Sequence, residues 1–152
     1  MPSYSKLYSA YPKKPLRSFQ DLEVYQKTLE ASVILAKNVD GFLKKKRKDE
    51  SEVREMIVKN MLPCALGIPH QIAEAHSLRF GDHIAAIAAI EKAMLNCNKI
   101  IVYIEQFRDI CESNITWEVF DDLIKKYLYV RRKILNLQRA WKKFMPPKMD
   151  IR

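Results

Sequence analysis

FDDLIKKYLYVRRKILNLQRAWKKF, Phe120 to Phe144, is the stretch whose reading decides the fold. Phe120, Leu123, Tyr127, Val130, Ile134, Leu137, Trp141 and Phe144 recur at alternating steps of three and four, the period of one helical face. Thr116 stands at the N-cap, and Pro146 and Pro147 stop the helix. Burying these side chains at ~1.5–3 kcal/mol each gives a gross term on the order of 12–24 kcal/mol. Backbone ordering at ~1–2 kcal/mol per residue offsets much of it. The rod therefore needs other helices to bury its stripe.

The chain supplies them. A third helix is predicted from about His83 to Asp109, after the turn Phe80-Gly81-Asp82, with Ile87, Ile90, Met94, Cys97, Ile101 and Ile104 on its face. Its first half, Ile84 to Ile90, is apolar all round, which predicts burial on every side and hence a partner chain. Ser51 is a good N-cap for a second helix with Val53, Met56, Ile57 and Met61 on its face. Pro63 and Pro69 predict a bend or break between Leu62 and Pro69. Ser18, with Asp21 three residues on, opens a first helix whose face reads Leu22, Tyr25, Leu29, Val33 and Ala36. The segment Gly41 to Glu50, with its run Lys44 to Lys48, breaks that pattern and reads as a solvated loop. The fold class is all-α: an antiparallel up-and-down four-helix bundle over residues 18–145, with a basic arm at 1–17 and a tail at 146–152.

The 152 residues suit one domain, large enough to bury its own core. Only Gly41, Gly67 and Gly81 are present, too far apart for a glycine-rich phosphate loop. Cys64, Cys97 and Cys111 are odd in number and lack Cys-x-x-Cys spacing, so they read as buried apolar residues in a reducing compartment. The polar amino terminus shows no signal peptide, and the longest apolar run is far short of the ~20 residues that span a bilayer. A cytoplasmic protein is expected.

The net charge of +9 is not spread evenly. Between Lys125 and Lys148 there are nine Lys or Arg and no acid, and residues 1–17 add Lys6, Lys13, Lys14 and Arg17, again with no acid. The remainder of the chain is therefore net acidic. With Phe120 at heptad position a, Lys125, Arg132 and Arg139 fall at f, Lys126 and Lys133 at g, Arg131 at e, and Lys142 and Lys143 at b and c. Most project away from the apolar seam. The helix macrodipole accounts for Lys142 and Lys143, because its effect of ~0.3–1 kcal/mol reaches only the last turn. It does not account for the cations from Lys125 to Lys133. A polyanion is the expected partner, RNA or DNA held through phosphates, against the alternatives of an inert solvated face and contact with a membrane surface. Neutralising ~5 phosphates predicts a log K against log salt slope of about −3.5 to −4.5. The candidate interface is Lys125, Lys126, Arg131, Arg132, Lys133, Arg139, Lys142 and Lys143, with Lys13, Lys14 and Arg17 from the arm. Tyr4, Tyr8 and Tyr11 could stack on bases or strap the arm to the bundle.

Two segments carry a family resemblance. Phe19-Gln20-Asp21-Leu22-Glu23-Val24-Tyr25-Gln26-Lys27 resembles the opening of the four-helix-bundle proteins encoded in intervening sequences of large-subunit ribosomal RNA genes. Ile68-Pro69-His70-Gln71-Ile72-Ala73-Glu74 resembles that family's second signature, although Ala75 stands where the family usually has glycine. The basic fourth helix, with Arg139-Ala140-Trp141-Lys142-Lys143, is similar to that of a sister group, the accessory variability determinants of diversity-generating retroelements. The resemblance implies a homopentamer and, for the sister group, binding to a reverse transcriptase and its template RNA. For the ribosomal branch it implies no activity.

Enzyme readings are weaker. His70 and Glu74 could share a helical face as metal ligands but lack a third ligand at matching spacing; no metal or cofactor is expected. Cys64 or Cys97 beside His70, His76 or His83 would be needed for a thiol nucleophile, and Glu91 with Glu105 for carboxylate chemistry. Neither pairing follows from spacing, so a non-catalytic protein is expected.

Overall fold

The computed structural model describes residues 17–44 and 51–144. Arm residues 1–16, Lys45 to Lys48 of the lysine run, and the tail with Pro146 and Pro147 lie outside the described residues. Those described are mostly helical, without a strand among them. After a single 3-10 turn at Phe19–Asp21 come α1 (Glu23–Lys37), α2 (Val39–Leu43), α3 (Ser51–Leu78), α4 (His83–Ile110) and α5 (Trp117–Lys143). Helix α3 packs on α1 and α4, and α5 packs on α4 and α1, so the four long helices enclose one core.

The first helix starts later than its sequence suggests. Ser18 caps the 3-10 turn, its Oγ accepting from the Gln20 N–H at 3.2 Å. Asp21 reaches back to accept from the Arg17 N–H at 3.0 Å. Leu22 is extended, and α1 begins only at Glu23. Its buried face is Val24, Thr28, Ala31, Ser32 and Leu35. The expected face was rotated: Leu29 and Val33 are exposed. Thr28 and Ser32 can be buried because their hydroxyls donate to the Val24 and Leu29 carbonyls, each at 2.7 Å.

The start of the expected loop is also a correction. Gly41 sits inside α2, and Phe42 is fully buried against the rings of Phe107 and Phe120, with centroids 4.8 and 6.2 Å away. This aromatic cluster outweighs the helix-breaking tendency of the glycine.

Helix α3 runs through Pro63 and Pro69 without the break that was one form of the expected bend or break. Each proline forfeits one backbone hydrogen bond. The apolar stripe Ile57, Met61, Ala65, Ile68, Ile72 and Ala75 is buried on both sides of the prolines, and that packing holds the rod together. On its first two turns Val53 and Met56 are exposed, while Arg54 is fully buried.

Helix α4 starts as its sequence indicates, with Asp82 Oδ1 accepting from the Ala85 N–H at 3.1 Å. Its core face is Ala86, Ile90, Ala93, Cys97, Ile100, Ile101, Ile104 and Phe107. Within the single chain its apolar first half is not enclosed, since Ile84 is 79% exposed.

In α5 the seam Phe120, Leu123, Tyr127, Val130 and Ile134 is buried as expected. Beyond Ile134 the buried position is Gln138, while Leu137 and Trp141 are half-buried and Phe144 is exposed. A straight helix of 3.6 residues per turn drifts ~20° per heptad from a strict seven-residue repeat, which carries the core side from position d to position e. Thr116 occupies the N-cap, but its hydroxyl makes no capping bond.

Candidate nucleic-acid interface

Helix α5 presents its cations on three sides. Lys125, Arg132 and Arg139 point outward and are exposed, with Lys143 continuing the line. At 1.5 Å rise per residue, the first three stand about 10.5 Å apart along the axis, and the row is about 27 Å long. Among the described residues none of these four has a carboxylate partner. On the α1 side Lys126 is paired: its Nζ lies 3.5 Å from Glu30 Oε1. That corrects the expectation that the mid-helix cations lack carboxylates. Lys133 is half-buried, its Nζ 5.4 Å from the centre of the Tyr129 ring. The Tyr129 hydroxyl donates to the Glu23 carboxylate, and that bond holds its pKa above the ordinary tyrosine value. On the α4 side Arg131 is half-buried near Cys97. Lys142 is exposed in the last turn.

Arg17 is exposed beside the start of the first 3-10 turn, whereas Lys13 and Lys14 lie outside the described residues. The structure thus brings the fourth-helix residues onto one rod but divides them into an outward row and two flanks. The acids of α5, Glu118, Asp121 and Asp122, stand at its other end, so the row is cationic only from Lys125 onward.

A second surface escaped the sequence reading. Ile84, Leu95 and Val102 are exposed on α4, at 79%, 52% and 50%. Their separations of eleven and seven residues place them on one line along the helix. Leu95 and Val102 line a shallow depression with Asn98, Lys99, Tyr103 and Gln106. The all-round apolar first half was the visible signal, but it named the helix rather than the row.

The residues weighed for catalysis are scattered. His70 and Glu74 are exposed on α3, and no group of three or more potential metal ligands occurs among the described residues. Burial pushes the Cys97 thiol up to about 12, against a smaller opposing effect of Arg131. Burial and the Arg79 charge lower the His76 pKa. Its Nδ1 lies 3.1 Å from Arg79 Nη1, which also donates to the His76 carbonyl at 2.5 Å. Glu91 and Glu105 are exposed. Among the described residues no helix is long and apolar enough to cross a membrane. No family model, curated protein or solved structure matches the chain.

Proposed function

We propose that this protein is a non-catalytic, oligomeric nucleic-acid-binding bundle whose outward α5 row grips phosphates. The observation that carries this reading is the line Lys125, Arg132, Arg139 and Lys143, exposed and without a carboxylate partner among the described residues. In this reading the helices form an antiparallel up-and-down four-helix bundle. Two cross-helix contacts support that order: as α1 advances from Glu23 to Glu30, its α5 partners step back from Tyr129 to Lys126. The apolar α4 row supports assembly into a homo-oligomer, a pentamer if the family resemblance holds. The most concrete role is an accessory subunit that holds RNA against a reverse transcriptase in a diversity-generating retroelement.

The test is a gel shift with the full chain over a range of salt. Four neutralised phosphates predict a log K against log salt slope of about −2.8 on a single strand and about −3.6 on a duplex. Changing Lys125, Arg132 and Arg139 together to Glu abolishes binding if the row is the site. Undiminished affinity in that variant refutes the reading.

The exposed α4 row also favours a second reading, a protein-interaction module of the ribosomal intervening-sequence type. In that case the chain captures a protein partner equally well before and after nuclease treatment.

A further inference from the structure

We infer that the α5 row takes the backbone of a nucleic-acid duplex rather than a single strand. The inference rests on the nucleic-acid reading above and narrows its substrate class. Single strands are held by grooves that follow the backbone and by aromatic rings on which bases stack. Among the described residues, the exposed rings within α5, Tyr129 at 41% and Trp117 at 62%, each already hold a cation. Tyr129, beside the row, has its hydroxyl on Glu23 and the Lys133 ammonium against its ring. Trp117 carries the Arg108 guanidinium 4.9 Å from its ring centre. Tyr127 is fully buried, and Trp141 packs against the core. Phe144, 78% exposed at the C-cap, lies at the far end of the row. Among the described residues the row therefore has charge along its length, and the exposed ring between its cations, Tyr129, already carries a cation.

The spacing favours the same class. Steps of about 10.5 Å are about three times the ~3.4 Å rise per nucleotide along one strand of B-form DNA. They approach the ~12 Å width of its major groove, which separates one backbone from the other. A flexible strand could reach every second or third phosphate only by being ordered, with its bases left unsupported. A duplex is already stiff, with a persistence length of ~50 nm, so a straight rod meets it without that entropic cost. Exposed side chains among the row's cations include Leu128, Tyr129 and Asn136. Recognition then goes through phosphates, which RNA and DNA duplexes both present, while the groove-width match belongs to the B form.

Fluorescence anisotropy of the full chain tests this, with a labelled 20-mer offered as single-stranded RNA, single-stranded DNA, RNA duplex and DNA duplex at matched salt. Both duplexes are expected to bind at least about tenfold tighter than their strands, with a salt slope near −3.6. The variant carrying Lys125→Gln, Arg132→Gln and Arg139→Gln should lower the slope on duplex to about −0.9, one phosphate remaining. Its helical circular dichroism should be unchanged, because all three positions are exposed. Strands binding as tightly as duplexes overturns the inference, whereas a variant keeping the full duplex slope overturns the assignment of the site to the row. Absence of binding to all four probes at low salt instead overturns the nucleic-acid reading beneath it.

Discussion

Replacing Arg54 by methionine tests the packing account most severely, because no other charged side chain among the described residues is so deeply buried. Arg54 lies on the first turn of α3 with no exposed surface. Its Nη1 donates to the Phe42 carbonyl at 2.9 Å, and its Nη2 donates to the Glu112 carbonyl. The guanidinium carbon stands 5.2 Å from the centre of the Phe107 ring. One side chain thus ties α2, the start of α3 and the segment after α4. Hydrogen bonds from a charged donor contribute ~1.5–3 kcal/mol each, and a cation over a ring about 0.5–2 kcal/mol. Methionine keeps most of the volume but leaves both carbonyls without that donor. Relief from burying a guanidinium returns several kcal/mol, so the net loss should be about 2–4 kcal/mol. With a urea m-value of about 2 kcal/mol/M, a 3 kcal/mol loss lowers the unfolding midpoint by about 1.5 M. Arg54→Lys should fall between, because an ammonium cannot match the fork that spans two carbonyls. A methionine variant within about 0.5 kcal/mol of the parent would refute the reasoning. The guanidinium would then be a tolerated burden, as some buried ionic groups are.

Three further outcomes follow from other residues. The Tyr127 hydroxyl is buried with no hydrogen-bond partner among the described residues, and burial pushes its pKa up. Tyr127→Phe should therefore stabilise by ~1–2 kcal/mol, seen as a melting temperature raised by about 2–8 °C; a lower value refutes it. Pro63 is exposed inside α3, so Pro63→Ala should restore a helix hydrogen bond and add about 1–3 kcal/mol, measured in urea. A destabilised variant would show that the proline sets a bend the packing needs. The folded state holds the His76 pKa below its usual 6.5, so the unfolded chain binds the proton more readily. The His76 contribution is complete above about pH 6.5 and is lost as pH falls below it, toward the folded-state pKa. Urea midpoints at pH 7.5, 6.5 and 5.5 should show that decline, and His76→Gln should flatten it.

What could be read before the structure was what a single helix states about itself. The α5 seam as far as Ile134 and the outward cations Lys125, Arg132 and Arg139 are periodic within one segment, so spacing alone placed them. The α1 face was misread because Thr28 and Ser32 look polar in sequence and satisfy their hydroxyls on their own helix. Leu29 and Val33 drew the expected face to the wrong side. Phe42 was hidden by an adjoining glycine and the lysine run, because its fit depends on Phe107 and Phe120 far along the chain. Of the expected bend or break in α3, the break did not form for the same reason: a local penalty at two prolines was set against burial contributed by other helices. On α5, the Lys133–Tyr129 contact is four residues apart and lies within reach of sequence reasoning. The Lys126–Glu30 pair joins two helices distant in sequence, and only the packed chain brings it together.

The placement of these features separates stability from binding. Two unit charges about 10.5 Å apart in water repel by about 0.4 kcal/mol. Screening over a Debye length of ~8 Å brings that near 0.1 kcal/mol. The outward row therefore costs the fold little, and removing its charges should leave the unfolding midpoint nearly unchanged. Arg54 and the aromatic cluster it touches are interior, and none of the row's cations contributes to them. Charge changes along Lys125, Arg132 and Arg139 consequently probe what lies outside the molecule, whereas Arg54→Met probes how its helix ends are held. A loss of binding in the first set cannot be attributed to unfolding if the midpoint stays fixed, and that independence makes the row a usable handle on function.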